Sequence, residues 1–373
     1  MDFQLTDDQK MLQEALQKFV EGEYDFDSRK KVLASPFGFS EAVWKGLAEQ
    51  GVLGIGLPEE HGGLGGPVEA MVVMERLGAG LVLEPFMSTV VLCGGLIARQ
   101  GSPSQQTEIL PRIVDGTCRV ALAHYEAGGR YALDYVNTTA RATADGFVLN
   151  GTKSVALDGA TANLLIVTAQ DESRSVALFL VDASAQGVEV IRYRTHDGRN
   201  AADVKLTDVH VAKDRRVAGG LPAIEEAIDH GIAALCAEAV GIMDAVNLAT
   251  LEYLKTRVQF GQPIGRNQVL QHRMADMFMM AVQARSMSLL ATGRCAANDA
   301  KARRHDVSAA KAFIGKAARF IGQQAVQLHG GMGMTAELIV SHYFKRLTLI
   351  GATFGDVDHH VGLISDQILA ESK

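Results

Sequence analysis

Apolar residues recur along this chain with two different periods, and the change of period divides it. Behind Thr6, with Gln9 three residues on as a capping box, Leu12, Leu16 and Phe19 return at spacings of four and three, which predicts an amphipathic helix. Helical signals continue to about Asp115. They are interrupted by a glycine-rich loop, GVLGIGLPEEHGGLGG at Gly51–Gly66, in which no GxGxxG follows a strand. From about Arg119 to Arg216 the pattern shortens to β-rich runs: Phe147–Asn150, Leu164–Ala169, Ser175–Val181, Val188–Tyr193 and Ala202–Val211. Asp145-Gly146, Asn150-Gly151 and Asp158-Gly159 read as turns between them. No long helical period intervenes, so the expected sheet is antiparallel, a compact β domain or barrel.

Beyond Pro222 the only further proline is Pro263, and the helical period returns. Val240, Met243, Leu251, Leu254 and Val258 share one face, and Met274, Met277, Met280, Val282 and Met287 form a loose stripe. Phe313, Ala317, Phe320, Gln324 and Leu328 repeat at three and four, as do Val357, Val361, Ile364 and Ile368 at the end of the chain. The fold class is therefore α+β and mostly helical. Its expected parts are a helical domain over 1–118, a central antiparallel β domain over 119–218 and a helical bundle over 219–373.

Composition narrows the function classes. The 373 residues carry 43 acidic against 36 basic groups, a net charge of −7, which argues against a nucleic-acid groove. The start, MDFQLTDDQK, lacks the basic cluster and apolar core of a signal peptide, and the apolar stretch Met87–Ala98 is too short to span a bilayer. Cys93, Cys118, Cys236 and Cys295 stand far apart without metal spacing and read as buried, reduced thiols. The expectation is a soluble cytoplasmic protein with no nucleic-acid or membrane partner and no metal.

Two segments carry candidate chemistry. In TRVQFGQPIGRNQVLQHRMADM (Thr256–Met277) an arginine at a helix end precedes Phe-Gly-x-Pro-Ile and the amides of Gln268 and Gln271. Arg257 there suits a phosphate gripped by charge-assisted bonds, or else a surface ion pair. In QLHGGMGMTAE (Gln327–Glu337) three glycines allow close approach of a ligand to the backbone, or simply end a helix.

Together and in this order, these segments resemble the acyl-CoA dehydrogenase family, and the resemblance runs end to end. Its further marks are Trp44-x-x-Leu47-Ala48-x-x-Gly51, Gly54-Ile55, Pro58-Glu59-Glu60-x-Gly62-Gly63, Asn150-Gly151-x-Lys153 and Gly159-x-x-Ala162. The resemblance implies a C-terminal four-helix bundle, a tetramer or dimer with itself or a homologous subunit, and FAD bound between subunits. It also implies oxidation of an acyl-CoA thioester to the 2,3-enoyl-CoA, with electrons passed to an electron-transferring flavoprotein. By position, Arg257, Phe260 and Gln268 match residues that hold a neighbouring subunit's FAD, and Gln327, Gly330 and Gly331 match the loop on its adenine-dinucleotide half.

The flavin side and the base depart from the family pattern. The TEPxAGSD loop appears as Tyr125–Ala132, keeping Glu126 and Gly128, and the WIT triplet as Val155-Ala156-Leu157. The family's α-proton base falls on Phe354, which cannot accept a proton, although its backbone N–H can still polarise a thioester carbonyl. The alternative base position used by some branches is Gly231. Asp356 is left as the candidate catalytic base, with an N-cap or FAD contact as its other reading, and Asp229 comes second. The expected function is acyl-CoA dehydrogenation. The alternative is a catalytically silent subunit that completes the FAD site of a heteromer.

Overall fold

The first helix begins where its cap dictates. Thr6 Oγ1 accepts the Gln9 N–H at 3.3 Å while Gln9 Oε1 accepts the Thr6 N–H at 3.0 Å, so both orphan donors are satisfied reciprocally. In this computed structural model, which describes residues 5–371, α1 (Asp7–Glu23) buries Leu16 and Val20. There follow α2 (Phe26–Ala34), α3 (Glu41–Glu49), α4 (Pro67–Ala79), a π-helical stretch Met87–Gly94 that runs into α5 (Gly95–Gln100), and α6 (Pro103–Val114). A second capping box, Ser102 with Gln105, and a proline at the first helical position start α6.

Eight strands form one sheet: β1 (Val120–Ala123), β2 (Thr139–Ala142), β3 (Gly146–Leu157), β4 (Leu164–Gln170), β5 (Val176–Asp182), β6 (Val188–Arg194), β7 (Asn200–Ala212) and β8 (Arg216–Val217). Their order is β6-β7-β3-β2-β4-β5-β8, with β1 also on β4. All five expected runs are strands. The pairing is mostly antiparallel, but β1 and β2 pair with β4 in parallel. The 40 residues between β1 and β4 supply the crossover that a parallel pair needs. Asn150-Gly151 is not a turn. It lies inside β3 at a register shift against β7, where a Cβ on Gly151 would stand 2.4 Å from Thr138 Oγ1.

The rest of the chain is α7 (Gly220–Thr256), a hairpin of β9 (Val258–Gln259) and β10 (Gln262–Pro263), then α8 (Gln268–Cys295), α9 (Ala300–His329), α10 (Ile339–Ala352) and α11 (Val357–Glu371). By length and composition α7 could cross a membrane, yet most of that apolar window is buried in the folded chain. The expected stripes are only partly interior. Val240, Met243 and Leu254 are buried, but Leu251 is exposed and Val258 has left the helix for the hairpin. Met277 is buried while Val282, Val361 and Ile368 face outward.

The elements group into two compact units. One comprises the chain up to Arg29, Pro67–Val82 and everything from Ile232 on; the other comprises Lys30–Gly66 and Leu83–Gly231. In the first, α4 and α7 cross at glycines: a Cβ on Gly78 would lie 2.4 Å from Glu238 O, and one on Gly241 1.9 Å from Glu75 O. Two ion pairs flank that crossing, Arg285 on Glu75 at 2.8 Å and Arg346 on Glu238 at 2.6 Å. In the second, Trp44 and Leu47 are core residues, and Gly63 crosses so near Leu57 that a Cβ would meet its carbonyl at 2.1 Å. Of the N-terminal motif residues, Trp44, Leu47, Gly54, Ile55 and Gly63 are thus packing residues, while Glu59 and Glu60 are exposed.

Candidate functional site

At the end of α7 the chain turns through the β9–β10 hairpin, whose tip is Phe260 (φ +53°) and Gly261 (φ +80°). Arg257 is fixed by its backbone, its N–H on Tyr253 O at 2.8 Å and its carbonyl accepting from Ile264 N–H at 2.9 Å. Its side chain is exposed and has no carboxylate partner among the described residues. Phe260 is fully exposed at the tip, and Gln268 is the exposed first residue of α8.

The second motif is brought to the same end of the bundle. Tyr253 stacks on His329, ring centroids 4.3 Å apart, and its hydroxyl lies 3.5 Å from the His329 carbonyl. His329 Nδ1–H donates to Ala325 O at 2.8 Å, and burial lowers the pKa of the ring, so it stays neutral in one tautomer. α9 then stops at Gly330 (φ +62°), with Gln327 exposed just before it. A Cβ on Gly330 or Gly331 would meet nothing within 4 Å, so both glycines border open space. An unpaired guanidinium, a bare aromatic ring, exposed amides and an open glycine loop suit an anionic dinucleotide with a flat base, and FAD fits that donor set.

The flavin-side segments lie in the other unit. Glu126 anchors the loop Tyr125–Ala132: its carboxylate accepts from Asn137 N–H (2.7 Å), Thr138 N–H (2.9 Å), Thr138 Oγ1–H (2.7 Å) and Lys153 Nζ (2.6 Å). Burial pushes its pKa up, but these hydrogen bonds outweigh burial and hold the carboxyl below its usual range. Lys153 is fully buried and also donates to Thr168 Oγ1 at 3.1 Å; burial pushes its ammonium down to about 8. Burial, then the Lys153 charge, pushes His124 down to about 3, so its ring is neutral beside Thr168.

Val155 sits in a bulge of β3 with φ +54°, a conformation that costs a β-branched residue dearly. Its N–H is held by Asp203 Oδ1 at 3.0 Å, which also accepts from Tyr193 Oη at 2.9 Å. Burial and Asp203 push the Tyr193 hydroxyl up to about 12. Strain of this kind persists only where neighbours impose it.

At the expected base position Phe354 is buried with φ +59°, followed by Gly355 at φ +119°. Asp356 accepts the His359 N–H at 2.9 Å, the N-cap bond of α11. Asp229 is buried within α7. Three side chains hold the turn, and two of them, Lys311 and Ser308, belong to no motif and escape sequence reasoning. Lys311 donates to Gly355 O at 2.6 Å and Gly351 O at 3.2 Å, while His360 bridges Phe354 O and Ser308 Oγ at 3.2 Å each. A lysine inside the small-residue run Ala309–Ala312 is the available signal.

The chain belongs to the acyl-CoA dehydrogenase family. The family's N-terminal domain matches residues 6–117, its middle domain 121–211 and its C-terminal domain 218–369. Membership makes the protein a flavoprotein oxidoreductase of acyl-CoA metabolism, with FAD as its cofactor. Among its relatives, a probable acyl-CoA dehydrogenase of Bacillus subtilis, YngJ, is 27% identical across 99% of this chain and 100% of its own length. A chain of the ChsE4-ChsE5 complex of Mycobacterium tuberculosis is 27% identical and superposes with a TM-score of 0.92, covering 99% of each chain. A chain from the structure described as the electron transferring flavoprotein of Acidaminococcus fermentans is 26% identical with a TM-score of 0.91, covering 99% of this chain and 100% of that one.

Proposed function

We propose that the protein works in the α,β-dehydrogenation of an acyl-CoA thioester, with electrons leaving to a flavoprotein acceptor. The observation that carries this reading is the joining of Arg257, Phe260 and the Gly330-Gly331 loop at one open end of the bundle by the Tyr253–His329 stack. When bound, FAD supplies the hydride acceptor. Arg257 would pair with the pyrophosphate of a neighbouring subunit's FAD, Phe260 would offer a ring to its base, and Gln268 and Gln327 would supply amides. Glu126 and the Val155 bulge fix the backbone of the segments that match the family's flavin-side loops. We place the protein in the cytoplasm, where its four buried free cysteines stay reduced.

A second reading is favoured by Phe354 together with the capping bond of Asp356: the chain is the base-less subunit of a heteromeric dehydrogenase. Leu248, Val269, Phe278, Met279 and Val282 expose apolar surface on α7 and α8, which suits cover by a self or homologous subunit in a dimer or tetramer. The ChsE4-ChsE5 relative is itself a complex of two named chains.

One measurement tests both. The chain is purified alone, its visible spectrum recorded, and a panel of acyl-CoAs added. Bound flavin that bleaches supports the first reading, and loss of bleaching in Asp356→Asn assigns the base to that residue. Flavin that bleaches only after a Glu-bearing partner chain is added supports the second. A chain that binds neither flavin nor acyl-CoA under any of these conditions sinks both.

A further inference from the structure

The turn at 353–356 is more elaborate than a helix end requires. A glycine at the left-handed position would close α10 at little cost. Instead an aromatic residue is held at φ +59°, and a fully buried ammonium, Lys311, is turned onto the carbonyls behind it. Gly351 O is one of the unsatisfied carbonyls of the last turn of α10, so one of the two Lys311 bonds is a C-cap of the kind a cation makes. The shorter bond, to Gly355 O, lies outside the helix and has no capping role.

His360 supplies the matching restraint. Phe354 O can only accept, so His360 Nε2 carries the proton and Nδ1 accepts from the Ser308 hydroxyl. The carbonyls of Phe354 and Gly355 are therefore both drawn toward α9 and α11. In a trans peptide the N–H points opposite to the C=O. Drawing in two successive carbonyls fixes the direction of the N–H groups of Gly355 and Asp356 on the far side of the turn, and by holding the Phe354 carbonyl it pins the residue whose own N–H is expected to meet a thioester carbonyl.

We propose that Lys311 and His360 are positioning residues that hold the backbone amides of the 354–356 turn in register for the carbonyl oxygen of an acyl thioester. This rests on the reading that the chain takes acyl-CoA thioesters, and it deepens that reading by locating what orients the carbonyl-recognising backbone. Hydrogen bonds to the carbonyl side of a peptide also polarise it and strengthen its N–H as a donor, which adds to the restraint. Neither side chain needs to touch the ligand. A burial too costly for packing alone is accounted for by this task, since an uncharged residue of similar size would fill the space with less penalty.

The test separates carbonyl recognition from folding and from general affinity. Affinities of the flavin-loaded full chain are measured by calorimetry for butyryl-CoA, a thioester, and S-butyl-CoA, the thioether that lacks the carbonyl. The wild type is expected to prefer the thioester. Lys311→Met is expected to lose that preference by about tenfold, a single good hydrogen bond's worth of discrimination, with thioether affinity and flavin content unchanged. Lys311→Arg, which keeps the charge, restores part of it. Ser308→Ala, a milder change that frees the His360 tautomer, is expected to weaken the preference in the same direction even if Lys311→Met does not fold. A preference unchanged in Lys311→Met, or in Ser308→Ala where the lysine variant is insoluble, overturns the proposal. A wild type that binds neither ligand fails earlier and counts against the acyl-CoA reading itself.

Discussion

Removing either partner of the buried Glu126–Lys153 pair should have unequal effects, and the structure says which is worse. Lys153 has no exposed surface, and burial has moved its pKa from 10.5 to about 8. At pH 7 holding that charge inside therefore costs about 3 kcal/mol already, at about 1.4 kcal/mol per unit. Glu126→Gln removes the compensating carboxylate, but the penalty on the lysine has a ceiling. Once its pKa falls below 7 the amine simply loses its proton, which adds only a further ~1.4 kcal/mol. The larger loss is at the other end. The carboxylate accepts from three donors besides Lys153, and an amide turns an NH2 toward at least one of them, orphaning even in the best case the part-buried Asn137 N–H at roughly 1–3 kcal/mol. Together these put Glu126→Gln at about 3 kcal/mol. Lys153→Met lifts the lysine's burial penalty and leaves the carboxylate its three other donors, so it should cost about 1 kcal/mol or less. Urea unfolding of both variants and the wild type reads the difference, and flavin content should fall with Glu126→Gln because the Tyr125–Ala132 loop loses its anchor. Lys153→Met being as destabilising as Glu126→Gln would refute the reasoning.

Other expectations follow from the same geometry. Lys311, whose pKa burial has lowered to about 8, binds a proton more weakly folded than unfolded; between pH 8 and 10.5 the unfolded chain holds more protons, so stability rises with pH by up to about 3 kcal/mol from this group. Urea titrations at pH 7.5, 9 and 10 should show a rise that Lys311→Met flattens, and an identical slope in the variant would contradict it. Arg257→Ala should weaken FAD binding roughly tenfold to a hundredfold, the value of a charge-assisted pair, while leaving the unfolding of the flavin-free chain within about 0.5 kcal/mol, as befits an exposed residue. Phe354→Glu places a carboxylate at the family's base position; if the chain lacks only that base, acyl-CoA should bleach its flavin at least about a hundredfold faster than in the wild type, and no gain would mean that more than the base is missing.

How far the sequence can be read depends on whether a feature leaves a local trace. The long strands β3 to β7 announce themselves because alternating or continuous apolar runs of that length, bounded by turn residues, suit a strand and little else. The four-residue strands β1 and β2 carry too few positions to show a period. Asn150-Gly151 misleads because the same dipeptide that favours a hairpin also favours a bulge, and only Thr138, pressed against Gly151, decides between them. On α7, α8 and α11 the apolar positions are legible but their partner is not: periodicity reports that Val282 or Ile368 is apolar, not that a neighbour within the chain covers it.

The site divides along the same line. Arg257 and the glycines at 330 and 331 can be found because a motif fixes them in sequence. The pairing of Glu126 with Lys153 spans 27 residues, and the partners of Lys311 are carbonyl groups, which every residue possesses and no sequence marks. That difference bears on what Phe354 means. Had the turn merely decayed along with its base, the cheapest outcome would be a glycine cap and an apolar residue at 311. The chain keeps instead a strained aromatic backbone, a buried cation and a histidine fixed in one tautomer around two carbonyls. Costly restraints on backbone direction, at a turn whose family base position carries a phenylalanine, argue that the turn works by its peptide groups. On the proposed reading, binding a thioester and deprotonating it are then separable tasks, and Lys311 and His360 serve the first whether Asp356 or a partner chain supplies the second.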